Sequence, residues 1–101
     1  MKVIFSHGKE SGPWGSKITL LANIAKELGF DVDSIDYTGV TSPDERVEKL
    51  NDYLMSETQP YVLVGSSMGG YVSLVAAQSN KPLGIFLLAP ALFMPGYNQQ
   101  T

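Results

Sequence analysis

The chain has 101 residues, enough for one small domain or a piece of a larger one. Apolar residues make up 44% of it, which supplies a core and argues against disorder. A net charge of −3 argues against a nucleic-acid surface, and the lack of cysteine removes disulfides and thiolate chemistry.

Lys2–Ser6 is a short apolar run stopped by His7-Gly8, which predicts a buried strand. A glycine-rich loop follows, from Gly8 to Gly15, and Ser16 is placed to cap a helix. Ile18, Leu21, Ile24, Ala25 and Leu28 fall at helical spacing and predict its inner face, with Gly29 as the stop. Phe30–Ile35 alternates apolar with polar or acidic residues, as a half-exposed strand does. Ser42-Pro43-Asp44-Glu45 is a helix start: Ser42 caps, Pro43 takes the first helical position, and Glu45 completes a capping box. Val47, Leu50 and Leu54 give that helix its inner face. Tyr61–Val64 predicts a continuous apolar strand ending at Gly65, a third helix runs from about Met68 to Ser79, and Leu83–Ala89 predicts a last strand stopped by Pro90.

The order βαβαβαβ, with near-continuous apolar strands, predicts an α/β fold. Its parallel sheet has about four strands, right-handed crossovers and helices on both faces. No repeat, low-complexity tract or domain boundary interrupts residues 1–101. All ten acids and six of the seven bases lie in residues 1–57, giving −4, whereas residues 58–101 carry only Lys81. So apolar a second half reads as the buried middle of something. The N-terminus is too short and too soon polar for a signal peptide, and no apolar run approaches the ~20 residues of a membrane span. A soluble cytoplasmic protein, with no nucleic-acid or membrane partner, is expected.

Gly65-Ser66-Ser67-Met68-Gly69 fits Gly-x-Ser-x-Gly, the strand-to-helix turn that presents a serine nucleophile. The motif is weak alone, but here an apolar strand precedes it and a helix follows it. Ser67 is the expected nucleophile, and side chains at Gly65 or Gly69 would clash within so sharp a turn. Met68 N–H, at the helix N-terminus, is the expected oxyanion donor. A second donor normally comes from a loop after an earlier strand; Lys9 N–H stands there, with Gly8 allowing close approach. A tight turn with an incidental serine is the bland alternative.

His7 invites two readings, a general base for Ser67 or a ring that orients the loop by hydrogen bonds. The second is preferred, because in this arrangement the base comes last in the chain. Phosphate binding is disfavoured, since neither the Walker pattern nor Gly-x-Gly-x-x-Gly is present.

With these features placed, the chain resembles the α/β-hydrolase superfamily, and within it the small, compact bacterial serine esterases. The residues that carry the resemblance are His7-Gly8-Lys9-Glu10-Ser11-Gly12-Pro13, the helix start at Ser16-Lys17-Ile18, Gly65 to Gly70, and Leu87-Leu88-Ala89-Pro90. It covers essentially the whole chain but only the N-terminal half of the family. It implies hydrolysis of a small acyl ester or thioester through an acyl-serine intermediate, with no cofactor and no metal. The departure is large: nothing after Glu57 is acidic, and the only histidine precedes the serine. Residues 91–101, with Phe93, Met94 and Tyr97, look like the entry into a cap or tail. The strand at 83–89 would then be an uncharged apolar edge, so the chain is expected to be part of a longer polypeptide or to form a homo-oligomer through that strand. A non-catalytic module that oligomerises there is the rival reading.

Overall fold

The computed structural model describes residues 1–8 and 12–88. Seven elements follow in chain order: β1 (Lys2–Ser6), α1 (Ser16–Glu27), β2 (Asp31–Ile35), α2 (Pro43–Met55), β3 (Tyr61–Ser66), α3 (Met68–Ser79) and β4 (Gly84–Leu88). The four strands form one parallel sheet in the order β2-β1-β3-β4. This is the α/β architecture that the strand and helix periodicities predict. Ala89 and the segment 91–101 lie outside the described residues.

The helices divide between the faces for a topological reason. The chain moves one way across the sheet from β1 to β2, then reverses to reach β3 and β4. Right-handed crossovers put helices on opposite faces when the direction reverses. Accordingly, α1 is the one described helix on its face, where Val3, Phe5, Ile18, Ala22 and Ala25 form a core. On the other face α2 and α3 enclose Ile4, Leu50, Leu54, Leu63, Val72 and Ala76. Strand β1 is buried on both sides, which is why its sequence is a run and not an alternation.

Local chemistry sets most element ends. At α2, Ser42 Oγ accepts the Glu45 N–H at 3.4 Å and Pro43 opens the first turn. At the end of α1, Gly29 N–H reaches Lys26 O and Phe30 N–H reaches Ala25 O, with Gly29 at φ 90°. This is a Schellman stop, sealed as Phe30 packs on the same small core as Ala25.

Two expectations for α1 need correction. Ser16 is the first helical residue and not the cap; Gly15 occupies the cap position, with no side-chain bond. Ile24 and Leu28, expected on the inner face, are exposed, whereas Ala22 is buried. Small residues bring the helix close to β1, and the larger side chains are left to flank it. Because α1 covers only the β1 side of its face, an apolar groove of about 460 Å³ opens over β3 and β4, lined by Leu21, Ile24, Val62, Val64, Phe86 and Leu88 among others. Among the described strands β4 is a sheet edge, with Phe86 61% exposed and Leu83, just before it, 67% exposed.

Candidate active site

Parallel register fixes what meets at the carboxyl end of the sheet. Ser6 of β1 pairs with Gly65 of β3, so His7-Gly8 and Ser66-Ser67 leave the sheet side by side. Their helices, α1 and α3, lie on opposite faces. Neighbouring strands whose connections diverge this way open a crevice at their carboxyl ends, the usual position of a ligand site in open α/β sheets.

Ser67 sits at the turn from β3 into α3 with φ 56° and ψ −119°, and it is the only non-glycine residue with positive φ among the described residues. Such a backbone costs on the order of 1–3 kcal/mol and persists only where its surroundings enforce it. Here Ser67 N–H donates to Leu88 O at 3.0 Å, and Gly70 N–H donates to Ser67 O at 2.9 Å. The Ser67 side chain is exposed and does not cap the helix it precedes. Met68 opens α3, where a backbone N–H has no partner within its own helix.

The glycines around it are a steric requirement. A Cβ on Gly65 would overlap the Gly69 carbonyl and lie 2.7 Å from Gly70 Cα. A Cβ on Gly69 would overlap the Ser6 carbonyl and lie 2.8 Å from His7 O. All of these obstacles are backbone atoms, which cannot rotate away as a side chain can. The first turn of α3 therefore rests directly on the carboxyl end of β1.

Below this contact lies a buried polar cluster. His7 is fully buried; its Nδ1 is 2.7 Å from Gly8 O, and its Nε2 accepts the Tyr37 N–H at 2.8 Å. A backbone N–H can only donate, so Nε2 is the unprotonated nitrogen and Nδ1 carries the hydrogen. Both nitrogens are engaged with backbone groups of Gly8 and Tyr37. Burial holds the ring's pKa below its ordinary 6.5, the neighbouring Arg46 adds to this, and the bond to Gly8 and the exposed Asp36 only partly oppose it. Tyr37 Oη lies 2.8 Å from Ser6 Oγ, and burial pushes the phenol upward.

Arg46, 2% exposed, completes the cluster and was not anticipated. Its Nε donates to Val40 O at 2.7 Å, and its Nη1 donates to His7 O at 3.0 Å and Gly8 O at 3.3 Å. Its guanidinium lies 5.1 Å from the centre of the Tyr37 ring. One signal could have found it: Arg46, Leu50 and Leu54 fall four residues apart on one helical stripe, which puts a charged residue in line with core positions.

Among the expected site residues, Ser67, Met68, Gly65, Gly69, His7 and Gly8 converge on this one end of the sheet. Lys9 lies outside the described residues. A cavity of about 250 Å³ opens nearby, lined by Gly12, Gly15, Ser16, Lys17, Ile18 and Ser66. Among the described residues no group of His, Asp and Glu could hold a metal ion, and no helix is long and apolar enough to cross a membrane.

Two outcomes follow from this geometry. Gly69→Ala should cost about 3 kcal/mol or more in urea unfolding, because the methyl group meets backbone that cannot yield; a loss under about 1 kcal/mol would contradict the close approach. Stability should also decline as the pH falls below about 6.5. The folded chain holds His7 neutral below its ordinary pKa, so the unfolded chain takes up the proton first. Urea midpoints that stay flat from pH 7.5 to 5.5 would contradict the burial of a neutral ring.

The fold is shared with known structures. A protein of the alpha/beta hydrolase superfamily from Xanthomonas campestris pv. campestris superposes with a TM-score of 0.89 at 28% identity, over 97% of this chain and 63% of that one. Mouse alpha/beta hydrolase domain-containing protein 10 gives 0.71 at 25% identity, over 89% of this chain and 41% of that one. The monoacylglycerol lipase of Paleococcus ferrophilus gives 0.78 at 22% identity, over 90% and 39%, a likeness of fold. The chain thus spans less than two thirds of each of these proteins. No curated protein sequence matches it. A family model matches residues 2–98, and with its α/β-hydrolase fold the chain belongs to the uncharacterised protein family UPF0227.

Proposed function

We propose that this chain is the nucleophile-bearing portion of a serine hydrolase acting on a small ester or thioester. The observation that carries the proposal is the backbone of Ser67. A non-glycine residue is held at φ 56° on an exposed strand-to-helix turn, where two flanking glycines have no room for a side chain. An incidental serine in a turn gives no reason for such strain to be retained. The α/β-hydrolase neighbours support the same reading.

In the proposed reaction Ser67 Oγ attacks the acyl carbonyl as a base takes its proton. The oxyanion accepts hydrogen bonds from Met68 N–H and from Lys9 N–H. The tetrahedral species collapses and expels the alcohol or thiol, which takes the proton back, and water then cleaves the acyl-serine ester. The cavity of about 250 Å³ beside the elbow suits a short acyl or alkoxy group. His7 is spoken for by Gly8 and Tyr37. The acid and base would come from outside residues 1–101, in a continuing polypeptide or a second chain.

Intact-mass spectrometry after exposure to a fluorophosphonate tests this. One adduct that maps to Ser67 and is absent in Ser67→Ala is expected. Without its acid and base, labelling should be slower than in a complete triad by a factor on the order of 10⁴. Labelling that survives Ser67→Ala sinks the proposal.

One observation favours a second reading, a non-catalytic module that pairs β4 edges with a second copy: the edge is uncharged and apolar and borders a wholly apolar groove. Light scattering should then give a dimer mass that reverts to a monomer in Phe86→Lys. A clean monomer at high concentration removes this reading.

A further inference from the structure

The buried cluster contains a cation that the serine chemistry does not use. Arg46 stands on α2, far in sequence from the elbow, yet its Nη1 donates to the two carbonyls at the carboxyl end of β1, His7 O and Gly8 O. Its Nε holds Val40 O, in the turn after β2, so one guanidinium ties the exits of two strands together. The Tyr37 ring lies against it, and Tyr37 in turn donates its N–H to His7 Nε2.

These contacts continue to the elbow. The carbonyl that Arg46 grips at His7 is the one that would lie 2.8 Å from a Cβ on Gly69. His7 O is therefore, beside the Ser6 carbonyl, part of the backbone floor on which the first turn of α3 seats. The Gly8 carbonyl is held from two sides, by His7 Nδ1–H and by Arg46 Nη1. The Gly8 carbonyl is thereby fixed where the chain leaves β1.

We propose that Arg46 is a positioning residue for the elbow end of the sheet, acting through the His7 and Gly8 carbonyls on the seat of α3 and on the peptide that leaves β1. It touches no reacting atom. The proposal rests on the serine-hydrolase reading for its kinetic consequence, but its structural content stands apart. A guanidinium suits the task because its planar fork of donors can serve three carbonyls at once, whereas an ammonium is a compact point donor.

The test uses the full chain with Arg46→Met and Arg46→Lys, with unfolding midpoints confirming the folded state. Fluorophosphonate labelling is resolved into the inactivation rate constant and the inhibition constant. Misplacing an oxyanion donor acts on the transition state, so the rate constant should fall on the order of 10²-fold in Arg46→Met while the inhibition constant is roughly unchanged. Arg46→Lys should fall between Met and wild type. A folded Arg46→Met that labels at the wild-type rate overturns the proposal. Should Arg46→Met fail to fold, Arg46→Lys decides in the same way: a lowered rate constant at a near-native midpoint supports it, and an unchanged one overturns it. Should the wild-type chain take no label, the serine reading fails, and amide chemical shifts decide the rest. Shifts in Arg46→Lys that reach His7, Met68 and Gly69 support positioning, whereas shifts confined to α2 and Val40 overturn it.

Discussion

The structure turns on one close approach of backbone to backbone, where the first turn of α3 rests on the carboxyl end of β1 at Gly69. Everything at the candidate site is referred to this contact. It puts the strained turn at Ser67 beside the loop after β1, and it directs the N-terminus of α3, with its positive dipole end, into the crevice. The contact is possible because β1 and β3 are in register, with Ser6 opposite Gly65. It needs glycine because no side chain fits between a helix and a carbonyl at this distance. The strain at Ser67 is then a consequence of geometry imposed from both sides, by β3 entering the turn and by β1 supporting its exit.

The reversal of chain direction after β2 has two effects that pull against each other. It creates the crevice, since the connections from β1 and β3 leave toward opposite faces. Among the described residues it also leaves α1 as the one helix on its face, so that Val62, Val64, Phe86 and Leu88 border an apolar groove that no described helix covers. Burying apolar surface is worth roughly 25 cal/mol per Å², so a groove of this composition is a standing invitation to further chain.

The sequence made some parts of this legible and not others, and the division has a physical basis. The elbow could be read because its chemistry is local: glycine, serine and glycine at alternate positions encode the turn without reference to any other element. The start of α2 was equally local, with Ser42, Pro43 and Glu45 acting on one turn. The inner face of α1 was only half legible. Periodicity marks which side of a helix is apolar, but Ile24 and Leu28 lie where the sheet beneath has no covering partner. Ser16 lost the cap position to Gly15, whose backbone reaches the required extended conformation without a side-chain bond. For Arg46 the helical stripe it shares with Leu50 and Leu54 betrays burial but not its partners, which are backbone carbonyls in two distant loops that no spacing rule connects.

The role of His7 follows from the same division between local and distant chemistry. As the only histidine it draws a catalytic reading, and its position one residue beyond β1 makes that reading stronger. Its surroundings argue otherwise. A general base needs a free nitrogen within reach of the proton it takes, and here one nitrogen is filled by a backbone donor and the other is committed to a backbone acceptor. A nearby guanidinium and complete burial both disfavour the protonated ring that a base must become. The ring is therefore suited to staying neutral, which is what a fixed hydrogen-bond bridge requires. In the proposed reaction this chain contributes the parts that must be rigid, a presented hydroxyl and aimed N–H groups. Proton transfer then falls to groups whose pKa has not been committed to holding the fold together.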